Sequence, residues 1–335
     1  LRLPFSHLII HTTLKALIIN QLNALPDYTD FSAALPSAGE VQVAVKAAAL
    51  NHRDVFITQG LYAGIRTPCV LGSDGVGILN DRRVIFYPAL DWGDSPDFQS
   101  KGFRVLGMPE NGTFAEAITL PFSSIYDLPE HLSWEQGAAL PLAGLTAWRT
   151  IFTRCALKKG EKVFISGIGG GVALMAMQFA IAAGAEVFVS SGSHEKIERA
   201  IALGAKGGVN YKESGWEKRI KEEAGGFDVI IDSAGGDGFS LFPAICNPGA
   251  RIGFYGGTMG KVNNLSLQPI FWKQISLLGS TMGSPSEFEA MLHFVQKNRI
   301  VPIIDAVFDL KNGTQAFERM NNGAQFGKIV LRIAN

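Results

Sequence analysis

The chain has 335 residues, more than a single hydrophobic core usually serves, so two domains are expected. Hydrophobic residues make up 47% of it, and 30 basic side chains balance 30 acidic ones with no basic block. That balance suits packed strands and helices, argues against disorder, nucleic-acid binding and attachment to anionic membranes, and leaves small molecules as the expected partners.

Residues 1–13 are apolar but carry Arg2, His7 and His11 and are too short to span a bilayer. They are expected to be an extension, with a transit-peptide remnant as the alternative because no acid precedes Asp27. From Lys15 to about Pro129, short apolar runs at 16–19, 41–49, 76–79, 83–86 and 113–118 alternate with turns and predict a β-rich first domain. From Trp134 the rhythm changes, with strands expected at 162–166, 186–190, 229–232, 251–255 and 275–280 and helices between them, including 172–183 and 195–203. Strands alternating with helices imply a parallel, doubly wound sheet. From Glu287 onward a helix, a strand around Val307, a helix near 314–320 and a last strand at 328–333 are expected to fold back onto the first domain. Cys69, Cys155 and Cys246 are far apart and odd in number, which fits reduced thiols in a cytoplasmic protein.

The strongest local signal runs from Lys162 to Gln178, an apolar strand entering a glycine turn and then a helix. Gly167, Gly170 and Ala173 are spaced by three, so the turn can close, its backbone can approach a pyrophosphate, and the helix can pack on the strand. Gly171 closes the turn and Val172 begins the helix, whose amides and dipole favour phosphate. The next strand ends in Ser190, Ser191, Gly192, Ser193, His194, Glu195 and Lys196, with no carboxylate at the position that would take an adenosine ribose 2′-hydroxyl. Ser191, Ser193 and Lys196 offer hydroxyls and a cation to a 2′-phosphate, so NADPH is the expected cofactor. Lys196 can equally be a solvated helix residue, and Glu195 is the group that would oppose a phosphate. Later turns at 232–236 and at Tyr255, Gly256 and Gly257 either line the same crevice or merely close tight turns.

Asn51-His-Arg-Asp54, Gly60-Leu-Tyr62, Leu71-Gly-Ser-Asp-Gly-Val-Gly77, Gly144-Leu-Thr146, the glycine turn, Gly279-Ser-Thr-Met282 and Phe326-Gly-Lys-Ile-Val330 follow in one order. In that order and spacing the chain resembles the zinc-free, quinone-oxidoreductase-like branch of the medium-chain dehydrogenase/reductase superfamily. The resemblance implies an α/β fold: a Rossmann NADP(H)-binding domain at 134–286 and a β-rich GroES-like substrate domain at 14–133 and 287–335. It also implies that Asn51 and Thr146 flank the nicotinamide, that Tyr211 adds to the 2′-phosphate pocket, and that Phe326 and Lys328 reach the cofactor from the tail. The places where zinc alcohol dehydrogenases hold catalytic metal fall on Asn51, Ser73 and Leu142, and the stretch that would carry structural zinc, 88–103, has no cysteine, so no metal site is expected.

Without a Lewis acid, reduction of an electrophilic quinone, enone or carbonyl is expected, with Asn51 and Tyr62 as the catalytic residues. Tyr62 either donates the proton or packs while water donates it. Relatives often carry tyrosine where Phe56 stands, and the stretch from Ile78 to Arg82 is short, either widening substrate access or trimming a hairpin. The alternative is a non-catalytic NADPH-binding redox sensor or structural protein; an oxidative alcohol dehydrogenase would need a general base that the sequence does not offer. A homodimer joined through 275–280 is expected from the resemblance.

Overall fold

The computed structural model describes residues 13–333, so the reading of the first 12 residues lies outside the described residues. Its second half is a six-stranded parallel sheet in spatial order Gly207–Asn210, Glu186–Ser191, Lys162–Ile165, Phe227–Asp232, Cys246–Phe254 and Ser276–Gly279. This is the order 3-2-1-4-5-6, which reverses between Lys162–Ile165 and Phe227–Asp232 and opens a ligand crevice at their carboxyl ends. The central strands share apolar middles, Val163–Ile165, Val187–Val189 and Val229–Ile231, because both faces are covered there, and their polar residues sit at or near the strand ends. Side chains alternate: Val163 and Ile165 pack with the helix Gly171–Ala182, while Phe164 faces Trp216, Phe227 and Phe242 on the other side.

The first half builds a mostly antiparallel sheet around Glu40–Ala49, which pairs with Asp74–Leu79, with Ala117–Pro121 and with the tail strand Lys328–Arg332. Ile304–Asp309 adds in parallel beyond that tail strand. The end of the chain thereby returns to the first sheet and brings Lys328 beside Leu50 and Asn51. The expected boundary at 287 falls inside the helix Pro285–Asn298, whose buried Phe288, Met291, Leu292 and Val295 join the core shared with the nucleotide-side helix Pro141–Trp148. The short stretch after Ile78 is a two-residue hairpin: Leu79 pairs with Arg82, and Asn80 and Asp81 both take the left-handed conformation that such a tight reversal needs. No described helix is long and apolar enough to cross a membrane.

Some elements depart from the sequence reading. The run at 113–118 forms its strand later, at Ala117–Pro121. The strand Asp27–Ser32 is almost entirely polar and exists by pairing with Thr13–Ile19, while Gly207–Asn210 is a four-residue edge strand carried by its register against Phe188 to Ser191.

Candidate functional site

A cleft of about 810 Å³ lies between the two sheets, at the crevice where the parallel strand order reverses. One wall is the glycine turn. Gly167 and Gly169 have φ of +65° and +132°, values that L side chains rarely adopt, and Gly170 caps the helix Gly171–Ala182. A Cβ on Gly169 would come 3.0 Å from Lys196 Cδ, and one on Gly171 would come 2.6 Å from Lys328 Cδ. The turn is thus a cradle that side chains would fill, and its open backbone ahead of a twelve-residue helix fits a diphosphate.

The cleft is lined by Asn51, Tyr62, Thr146, Gly167, Gly170, Gly171, Val172, Ser191, Lys196, Tyr211, Tyr255, Gly256 and Lys328, so most of the expected site residues meet there. Three do not line it. Ser193 accepts a hydrogen bond from the Lys196 amide and caps the next helix, while Gly192 makes room for Tyr211 and Lys212, since its Cβ would come 2.9 Å from the Tyr211 hydroxyl. Phe326 corrects the expectation most clearly: it is buried under the Arg199 guanidinium, which sits 4.0 Å from its ring centre. Glu195 turns outward toward Arg199 rather than into the phosphate end, and 79% of its side chain is exposed.

Lys328 lines the cleft, yet its ammonium points away from the glycine turn. It donates to Leu50 O at 2.7 Å, Asn51 Oδ1 at 2.6 Å and Asp74 Oδ2 at 2.8 Å. Asn51 Nδ2 in turn donates to Asp74 Oδ2 at 3.0 Å and Ser73 Oγ at 3.3 Å, and Asp74 Oδ1 accepts from the Leu142 amide at 2.8 Å. Asn51, Ser73 and Leu142 among these are the positions that the family resemblance equates with zinc ligands. An amide, a hydroxyl and an aliphatic chain around a buried ammonium do not fit zinc, which needs thiolate, imidazole or carboxylate donors. Among the described residues no group of three or more His, Cys, Asp or Glu side chains is placed to hold a metal.

Arg53 was not singled out by the sequence, though a buried arginine beside a candidate tyrosine organises this end. It donates to Leu106 O at 2.7 Å, and its guanidinium lies 4.8 Å from the centre of the Tyr62 ring. His52 also opens on the cleft. Burial raises the pKa of Tyr255, leaving a neutral phenol in the wall. Burial also pushes Cys69 up to about 11 and Cys155 and Cys246 up to about 12, so none is a thiolate at neutral pH.

Asp54 is fully buried beneath the site. Its Oδ2 accepts from the Asn51 amide at 2.8 Å, and burial raises its pKa to about 6 despite Arg53 and Lys328. The folded chain then holds this proton up to about pH 6, while an unfolded Asp releases it near 3.8, so folding binds more protons in that window and stability falls as pH rises through it. The loss contributed by this one group is up to about 3 kcal/mol. Asp54→Asn is expected to remove that slope; urea midpoints measured from pH 4 to 7 check it, and an unchanged slope in the variant would exclude Asp54 as its source.

Two family descriptions match the chain: an alcohol dehydrogenase GroES-like domain over residues 37–130 and a zinc-binding dehydrogenase over residues 171–297. A zinc-type alcohol dehydrogenase-like protein of Leptosphaeria maculans is 35% identical over 329 residues, covering 89% of this chain and 92% of its own. Quinone oxidoreductase of Mus musculus is 28% identical, covering 90% and 92%. Among solved structures, an NAD-dependent alcohol dehydrogenase superposes with a TM-score of 0.90 at 31% identity, covering 96% of this chain and all of that one.

Proposed function

Because the chain belongs to the medium-chain dehydrogenase/reductase superfamily, we propose that it is an NADPH-dependent oxidoreductase that reduces a quinone, enone or activated carbonyl without zinc. The observation that carries this reading is that Asn51, one of the three positions equated with zinc ligands beside Ser73 and Leu142, is tied by hydrogen bonds to the buried Lys328 and Asp74. With no Lewis acid to stabilise an alkoxide, the acceptor must already be electrophilic. A reduced nicotinamide supplies hydride when bound. The glycine turn and helix amides hold the diphosphate; Ser191, Lys196 and Tyr211 take the 2′-phosphate; Asn51 and Thr146 flank the nicotinamide. Phe56, Leu61, Phe103 and Met282 make the acceptor end apolar and limit water there.

Tyr62 supplies the proton that accompanies reduction, with Arg53 against its ring to receive the resulting negative charge. Tyr62→Phe is expected to lower kcat about a hundredfold, the low end for general acid catalysis, because water also reaches this half-buried position. The test is a fluorescence titration with NADPH and NADH followed by NADPH consumption with quinones and enones. Turnover that is indifferent to Tyr62→Phe would transfer the proton to water, and NADPH binding without turnover on any acceptor would favour the sensor reading.

The proposal extends to a homodimer. The parallel sheet ends at Ser276–Gly279, and Leu277 there, with Leu267, Phe271 and Trp272 on the preceding helix, is exposed. Sedimentation is expected to give twice the 36.0 kDa chain mass, falling to one chain for Leu277→Arg; a wild type sedimenting as one chain would remove the dimer. Three buried free thiols suit a cytoplasmic setting.

A further inference from the structure

We propose that Gln325 is a cofactor-binding residue whose amide oxygen accepts from the adenosine ribose, and that the loop at 322–327 forms the cleft wall facing the glycine turn. This rests on the nicotinamide-cofactor reading above. Gln325 lines the cleft, is 5% exposed, and its Oε1 is buried without a hydrogen-bond partner. A buried carbonyl oxygen without a donor carries an unoffset desolvation cost, and such an atom in a cleft wall calls for a ligand donor.

The surroundings say which part of a dinucleotide provides it. The loop lies across the turn: Gly327 N donates to Gly169 O at 2.9 Å, Lys196 Nζ donates to Gly323 O at 3.1 Å, and a Cβ on Gly169 would come 3.6 Å from Gln325 O. Gln325 therefore sits between the diphosphate cradle and the lysine assigned to the 2′-phosphate, which is where the adenosine ribose falls. Phosphates only accept hydrogen bonds, whereas the free 3′-hydroxyl of that ribose donates. Phe326, the next residue, turns the opposite way into the core under Arg199. The tail thus offers the cofactor its glutamine and uses its phenylalanine as the anchor.

The test uses Gln325→Met, which keeps length and removes the acceptor, with dissociation constants measured by calorimetry for NADPH, 2′,5′-ADP and reduced nicotinamide mononucleotide. NADPH and 2′,5′-ADP are expected to bind roughly three- to tenfold more weakly, the mononucleotide unchanged. The melting temperature of the cofactor-free variant is expected to equal or exceed that of wild type, because the buried unpartnered oxygen is gone. Unchanged affinity for 2′,5′-ADP, or a loss confined to the mononucleotide, would overturn the assignment. A variant that weakens binding only in proportion to a lowered melting temperature marks Gln325 as structural and also overturns it; Gln325→Leu repeats the comparison if the methionine variant does not fold. A wild type that binds none of the three ligands defeats the cofactor reading itself, and the Gln325 assignment falls with it.

Discussion

Replacing Lys328 with methionine is expected to cost about 3–5 kcal/mol of folding stability and to abolish turnover, although the side chain never leaves the interior. Lys328 is 4% exposed, and its three acceptors surround it at 2.6 to 2.8 Å. Methionine fills most of the same volume, so little of the loss comes from packing. It comes from Asp74, fully buried, which keeps its bonds to Asn51 and the Leu142 amide but loses the only cation in contact with it among the described residues. Removing both charges is the informative control. Lys328→Met with Asp74→Leu replaces a buried pair by apolar groups, which is often close to neutral for stability. Stability is therefore expected to recover in the double variant while activity does not, because Asn51 is then held by neither partner. Urea unfolding and acceptor turnover on the same three proteins separate the two effects; a single variant less than about 1 kcal/mol below wild type would mean that the pair is not isolated from solvent.

The parts of the site that were legible in the sequence are those carried on one continuous stretch. The glycine turn from Gly167 to Val172 and the Ser191 to Lys196 segment announce themselves because strand, turn and helix follow directly, and the structure brings most of them to one cleft. The central parallel strands were legible for a related reason: burial on both faces gives each an unbroken apolar run of three residues, as in Val163–Ile165 and Val229–Ile231. Edge elements lack that constraint. Gly207–Asn210 is held by its partner strand rather than by its own side chains, two of which are missing. Contacts across the chain were also illegible. Lys328 and Asp74 are 254 positions apart, and nothing local tells whether the lysine turns to a cofactor or to a carboxylate. The one available sign was Asp74 itself, the lone charge in the stretch from Val70 to Leu79, which is expensive to bury unless a partner is waiting. For Phe326 and Gln325 the motif marked the segment but not which residue faces the cleft: in the irregular turn before the last strand Gln325 lines the cleft while Phe326 is buried beneath Arg199.

Lys196→Glu is expected to invert the cofactor preference, weakening NADPH about a thousandfold while leaving NADH within about threefold. The strand Glu186–Ser191 ends in a serine that is 5% exposed, so no carboxylate stands ready for a ribose 2′-hydroxyl. The nearby acids are engaged elsewhere: Glu195 reaches toward Arg199, and Glu213 is held by His194 and Arg219. Burial lowers the Lys196 pKa, opposed by Asp305 and Glu195, and a 2′-phosphate would act in the same direction as those two carboxylates. A unit charge pair at 4 Å near a surface is worth about 4 kcal/mol before desolvation; the half-open position of Lys196 reduces that to about 2. Reversing the charge converts attraction into repulsion of similar size, about 4 kcal/mol in all, which is about a thousandfold in affinity. NADH has no phosphate there and is spared. The same lysine also ties the loop at Gly323, so a purely structural role makes a different prediction: both cofactors would weaken together, and raising the salt concentration would change neither ratio. Fluorescence titration of both cofactors at low and high salt reads the two directly, and an equal loss for NADPH and NADH would leave Lys196 as a latch with no part in choosing between them.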